Sequence, residues 1–150
     1  MSLLVDVAPD GTRSPLARER IEGVVRTVLA AEGIRDALVS VAIVSGRAIT
    51  ALNRKHLGHD APTDVIAFGL KGTDAMVPVI GDIYIAPEVA RDRAAELGVG
   101  VREEVARLAV HGTLHVLGYD HPEGEDRTTS AMWKRQERLV TKAMRQIRRS

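Results

Sequence analysis

The sequence predicts a single domain of the α+β class, in which helices pack against a small mixed or antiparallel sheet. The chain has 150 residues, a length that fits one domain with one hydrophobic core. Four segments have the short, β-branched character of strands, and they are interspersed with segments of helical periodicity. Two of the strands are joined by a short polar segment. Because parallel neighbours need a crossover of a dozen or more residues, these two are predicted to be antiparallel.

Nine segments have strand or helix character when the chain is followed in order. The strands are rich in valine and isoleucine, and the helices repeat apolar residues every three or four positions. A serine before a proline, Ser14–Pro15, is typical of a helix start, and Ser45 is in position to cap the second helix. Gly33 and Gly98 stand where helix-ending glycines belong. The predicted strands cover about 3–7, 37–44, 63–68 and 79–86, and the predicted helices cover about 15–31, 45–58, 87–98, 101–117 and 129–147.

Composition limits the classes of protein to which the chain can belong. The sequence has no cysteine, which excludes disulfides and cysteine metal sites and fits a reducing compartment. Its first residues have no basic segment and too short an apolar run for a signal peptide, and no stretch approaches the ~20 apolar residues of a membrane span. We therefore expect a cytoplasmic protein without a membrane segment.

The segment HGTLHVLGYDH, residues 111–121, holds three of the five histidines. On a helix, His111 and His115 lie one turn apart on one face, with Cβ atoms ~5 to 6 Å apart. Gly118 can end that helix because glycine enters the left-handed conformation without a Cβ penalty, and His121 then returns as a third ligand. Catalytic zinc sites typically use three protein ligands and a water. The pattern predicts one zinc ion per chain; the alternative is that the histidines are core or surface residues of an amphipathic helix.

The same spacing occurs in the metzincin protease signature H-E-x-x-H-x-x-G-x-x-H. Gly112 stands where those proteases carry their catalytic glutamate. Without this carboxylate the peptidase mechanism lacks its general base. The metal ligands are therefore compatible with another substrate.

The end of the chain is strongly basic, although the formal net charge of the whole chain is only +1. Residues 133–150 contain seven Lys or Arg and one acidic residue, Glu137. Such a cluster is a candidate phosphate-binding surface, and a solvated helix face is the alternative. The basic residues expected to project from one side of the last helix are Lys134, Arg138, Lys142, Arg145 and Arg149.

The chain resembles the YbeY family of bacterial endoribonucleases, which are implicated in rRNA maturation and ribosome quality control. The resemblance rests on HGTLHVLGYDH at 111–121, LNRKHLGHDAPTDVIAF at 52–68 and GDIYIA at 81–86. It implies an α+β fold with a small mixed four-stranded sheet packed by about five helices, one of them a zincin-like metal helix. It also implies a zinc ion on His111 and its two partner histidines, and cleavage of single-stranded RNA.

One position departs from the family pattern. Many members carry an arginine, taken as catalytic, where this chain has Leu57. An arginine can stabilise charge on a phosphoryl group, whereas leucine cannot. Either Arg54, about one helical turn earlier, or a basic residue from elsewhere takes this role, or the activity is weaker or differently directed. The candidate catalytic residues are therefore His115, through the metal, and Arg54.

Together with the histidine motif, the resemblance implies a zinc-dependent endoribonuclease specific for single strands. The metal would lower the pKa of a water toward ~7 and polarise a phosphoryl oxygen, and a carboxylate at position 112 would repel the phosphodiester. The expected partner is single-stranded RNA, as rRNA or within the ribosome. Two alternatives stay open: a ribosome-associated RNA-binding factor with a structural metal, and another zinc hydrolase such as a peptidase.

Overall fold

In the residues that the structure, a computed structural model, describes, four strands form one mixed sheet. The described residues are 3–9, 12–57, 65–70, 79–119 and 131–149. In the sheet order β1-β2-β4-β3, β2 is parallel to both β1 and β4, and β3 is antiparallel to β4. The predicted antiparallel pair is therefore confirmed. The strands are β1 Leu3–Pro9, β2 Ala37–Ile43, β3 Val65–Leu70 and β4 Val79–Ile85.

Five helices accompany the sheet in the described part of the chain, as the sequence predicted. Ser45 caps the second, since its Oγ accepts a hydrogen bond from the amide of Ala48 at 3.1 Å. Gly33 and Gly98 follow the first and third helices with φ of 73° and 69°. In the ranges that were described, no helix is both long and apolar enough to cross a bilayer. The helices are α1 Arg18–Ala31, α2 Gly46–Leu57, α3 Pro87–Leu97, α4 Val101–Val116 and α5 Ala131–Arg149.

The predicted start of the first helix was wrong. Helix α1 begins at Arg18 rather than at Pro15, and Ala17 is extended with φ −61° and ψ 149°. The Ser14 hydroxyl donates to the carbonyl of Leu16 at 2.7 Å and accepts from its amide at 3.2 Å. Leu16 is fully buried, so this local turn is held in the core and delays the helix by one turn.

Helices cover both faces of the sheet. Successive side chains of a strand point to opposite faces, and in β4 this alternation separates Ile83, which belongs to the main core, from Tyr84, which packs against a smaller cluster. Helices α1, α4 and α5 contribute to the main core, and Ile49 of α2 belongs to the smaller cluster. Helix α3 contributes to both, through Ala90 and Val89 respectively. Helix α4 therefore lies on the face opposite to α2.

Candidate metal centre

The structure brings His111 and His115 together on α4. Both side chains are half-buried, and their ring centres are 4.5 Å apart with the planes at 76°. Zinc–nitrogen bonds are about 2.0 to 2.1 Å long, so rings at this separation can contact one ion. The prediction that the two histidines lie one turn apart on one face of a helix is confirmed.

Helix α4 ends at Val116, just before Gly118, the glycine at which the sequence indicated that the helix stops. Gly118 has φ of 100°, its amide donates to the His115 carbonyl at 3.0 Å, and the Tyr119 amide donates to the Leu114 carbonyl at 3.0 Å. These two bonds define a Schellman motif, which satisfies the last carbonyls of a helix and requires a left-handed residue. The motif turns the chain immediately after the two histidines.

Tyr119 anchors the chain just beyond this turn. Its hydroxyl donates to the Glu32 carboxylate at 3.2 Å, and Arg135 Nε donates to the same carboxylate at 2.8 Å. Burial, together with the charge of Glu32, raises the pKa of Tyr119, which therefore stays protonated and able to donate. The point from which the chain continues toward His121 is thus tied to α1 and α5.

The predicted third ligand, His121, lies outside the described residues. Within the ranges that the structure describes, there is no group of three or more potential metal ligands. The side chain of Leu57, the last residue of α2, is also outside the described part. The three-histidine zinc site therefore stays a prediction.

Arg54 is on α2, the helix that packs on the face of the sheet opposite to α4. It is exposed on α2 and lines a cleft of about 580 Å³ with Glu88 and Asp92 of α3. A role for Arg54 in catalysis remains a prediction.

Sequence reasoning missed a polar network that leads from α5 to His111. Gln136 is buried, and its Oε1 lies 2.7 Å from Nδ1 of His111, while its Nε2 donates to Glu137 Oε2 at 3.1 Å. Arg107 of α4 holds both oxygens of Glu137, at 2.9 and 3.0 Å, and donates to the buried Glu104 at 2.9 Å. The sequence contains one sign of this network. Gln136 interrupts the apolar stripe of α5, and a buried polar side chain needs hydrogen-bond partners.

The acid–base balance of this network favours the ionised salt bridge. Burial alone would raise the pKa of Glu137, but hydrogen bonds from Arg107 and Gln136 and the charge of Arg107 lower it below its usual value. Burial alone would lower the pKa of Arg107, but hydrogen bonds and attraction to Glu137 and Glu104 outweigh burial and raise it. The carboxylate of Glu137 therefore stays an acceptor.

Three glycines let α4 approach the sheet closely beside the histidines. A Cβ on Gly112 would lie 2.8 Å from Cγ2 of Ile83. A Cβ on Gly81 would lie 2.6 Å from Cγ2 of Val116, and one on its register partner Gly69 would lie 2.6 Å from the Val116 carbonyl oxygen. The residue that replaces the metzincin glutamate thus faces β4, and a longer side chain there would push α4 off the sheet.

The exposed side of α5 carries a stripe of cations. Arg135 is not part of it, because this residue pairs with Glu32, and the side chain of Arg149 lies outside the described residues. The expected basic surface is thus present in the described part of α5. Its exposed members are Lys134, Arg138, Lys142 and Arg145, which we call the α5 basic stripe.

Comparisons with known proteins agree with this fold. A family model described as Endoribonuclease YbeY matches residues 10–144. A relative named Endoribonuclease YbeY from Bacillus licheniformis is 41% identical over 138 residues, covering 84% of this chain and 87% of the relative. Another of that name, from Bacillus subtilis, is 38% identical and covers 93% and 95%. The solution structure of TM1509 from Thermotoga maritima superposes with a TM-score of 0.67 at 30% identity, covering 97% and 92%. With two thirds or more of each sequence aligned, the chain belongs to the YbeY family.

Proposed function

We propose that this protein is a zinc-dependent endoribonuclease that cleaves single-stranded RNA in rRNA maturation and ribosome quality control. The observation that carries the proposal is the adjacent pair His111 and His115 on α4, with rings 4.5 Å apart. The family supports the reaction class, because the relatives are named endoribonucleases.

The residues at the site fit a zinc ion. Imidazole nitrogen is a zinc ligand, and the hydrogen bond of Gln136 to Nδ1 of His111 is typical of the contacts that orient ligating histidines. The Schellman turn at Gly118 and the anchor at Tyr119 lie just before His121 in the chain. When bound, zinc polarises a phosphoryl oxygen and lowers the pKa of a water.

The other residues suit an anionic substrate. Position 112 is a glycine that packs against β4. Because glycine has no side chain, no carboxylate at this position repels a phosphodiester. The α5 basic stripe can bind phosphates along a single strand, and Arg54 is the candidate for stabilising charge on the phosphoryl group. Each of these roles can be removed separately by substitution.

The test is cleavage of a single-stranded RNA oligonucleotide, and of its duplex, before and after chelation and after zinc is restored. We expect cleavage of the single strand that disappears with chelator and returns with zinc. His115→Ala should lose both zinc and cleavage, whereas Arg102→Ala, at an exposed position of the same helix, should retain both. RNA binding without metal-dependent cleavage would select the RNA-binding factor, and cleavage of peptides but not RNA would select the peptidase.

Metal analysis tests the site independently of activity. Purified protein should contain close to one zinc per chain. Full retention of zinc after replacement of His111, His115 and His121 together would overturn the proposed ligand set.

A further inference from the structure

Gln136 of α5 contacts His111, and the adjacent residue Glu137 sets the orientation of the Gln136 amide. Gln136 is 25 positions from His111 in the chain, and the two meet because α5 packs on α4. The Gln136 amide has an oxygen at one end and an NH2 group at the other, and the two ends are distinguished by what they face.

The Glu137 carboxylate decides which way the amide points. Both of its oxygens accept hydrogen bonds from Arg107, so the carboxylate is ionised and can only accept. The end of Gln136 that lies 3.1 Å from Glu137 must therefore be the NH2 group. The opposite end, 2.7 Å from Nδ1 of His111, must be the carbonyl oxygen. An oxygen at this distance requires a proton on Nδ1.

We propose that Gln136, oriented by the Arg107–Glu137 salt bridge, is a positioning residue that holds His111 as the Nδ1-protonated tautomer and directs Nε2 toward the metal. The inference rests on the proposed metal role of His111. In this tautomer the lone pair of the ring is on Nε2, the atom through which His111 would bind zinc. The hydrogen bond also limits rotation of the ring about its Cβ–Cγ bond.

The expected size of the effect follows from what such contacts do elsewhere. Loss of a hydrogen-bond partner behind a ligating histidine typically lowers metal affinity by about 10- to 100-fold. Gln136→Met removes the amide while keeping an unbranched side chain of similar length, so the buried position stays filled. Gln146→Met is the matched control, because it removes an amide from the same helix that bonds Thr27 instead.

Two measurements on the full-length chain test the proposal. The first is zinc affinity, with zinc alone as the probe, by competition with a chromophoric chelator. Gln136→Met should bind zinc about 10- to 100-fold more weakly, and Gln146→Met should match wild type. Melting of the metal-free variants shows whether each one is folded.

The second measurement is the tautomer of His111 in metal-free wild-type protein, by nitrogen-15 NMR of the imidazoles at about pH 8, above the usual histidine pKa. We expect the proton on Nδ1, and in Gln136→Met a shift toward the Nε2-protonated form. The wild-type readout needs neither zinc nor a variant, so it tests the proposal even if Gln136→Met does not fold.

The outcomes separate this inference from the proposed function. If His111→Ala and His115→Ala bind zinc like wild type, the metal role fails and the inference fails with it. If those variants lose zinc while Gln136→Met keeps wild-type affinity, only the positioning role is overturned. A wild-type His111 protonated on Nε2 would also overturn it.

Discussion

Gly81 should tolerate alanine only if the side chain of Val116 is trimmed at the same time. The new Cβ would lie 2.6 Å from Cγ2 of Val116 and closer still to its Cγ1, whereas ordinary contacts begin at 3.4 Å, so more than about 0.8 Å of movement is needed. Overpacking of this kind costs typically ~1 to 3 kcal/mol, offset by ~0.4 to 1 kcal/mol because alanine restricts the unfolded chain. We expect Gly81→Ala to destabilise the protein by about 1 to 2 kcal/mol.

The double variant isolates the clash. Val116→Ala alone should cost at least ~1.6 kcal/mol, from two buried methyl groups at ~0.8 kcal/mol each. In the double variant the methyls of Val116 are gone and the new Cβ occupies part of their space. Its cost should therefore fall short of the sum of the single costs by ~1 to 2 kcal/mol, within the usual range for residues in contact.

Gly69 provides the comparison, because its Cβ would meet the backbone of Val116 rather than its side chain. The nearest atoms are the carbonyl oxygen at 2.6 Å and Cα at 2.8 Å, and both remain in Val116→Ala. The costs of Gly69→Ala and Val116→Ala should add within ~0.5 kcal/mol.

The assay is urea unfolding in excess chelator, so that metal binding does not contribute. Wild-type stability of Gly81→Ala, or equal rescue of both glycine variants by Val116→Ala, would refute this packing argument.

Three further predictions concern RNA binding, catalysis and pH. Neutralising Lys134, Arg138 and Lys142 should weaken RNA binding and flatten the dependence of log K on log salt by up to ~0.7 per lost phosphate contact; an unchanged slope would mean a solvated helix face. Leu57→Arg should raise single-turnover cleavage by ~10- to 100-fold if it recovers ~1.4 to 2.7 kcal/mol of transition-state stabilisation, whereas a stable variant with no faster cleavage would exclude a missing arginine. Glu137→Gln should cost ~1.5 to 3 kcal/mol near neutral pH. Because the folded pKa of Glu137 is lowered, the wild-type advantage is complete above the unfolded pKa of ~4.3 and is lost as pH falls through the folded pKa; an advantage that persists at still lower pH would contradict the assignment.

The sequence by itself determined the features that depend on neighbours within about one helical turn. The pairing of His111 and His115 follows from their four-residue spacing on a helix. The end of α4 follows from Gly118, which alone among its neighbours adopts positive φ without penalty. The antiparallel pair β3–β4 follows from a connection too short for a crossover. The local start of α1 was wrong, because burial of Leu16 favours a turn that residue propensities do not reveal.

The tertiary structure alone decided which distant residues meet. Gln136 reaches His111 only because α5 packs on α4 with its buried polar position toward the histidine pair. From the sequence, Gly112 is notable only because it replaces a catalytic carboxylate. The structure gives a second reason for this glycine, because α4 packs so close to Ile83 that a side chain at position 112 would not fit. Such contacts depend on the packing of whole elements, whose relative placement no local pattern encodes, and in this protein that placement brings Gln136 into contact with the candidate ligand His111.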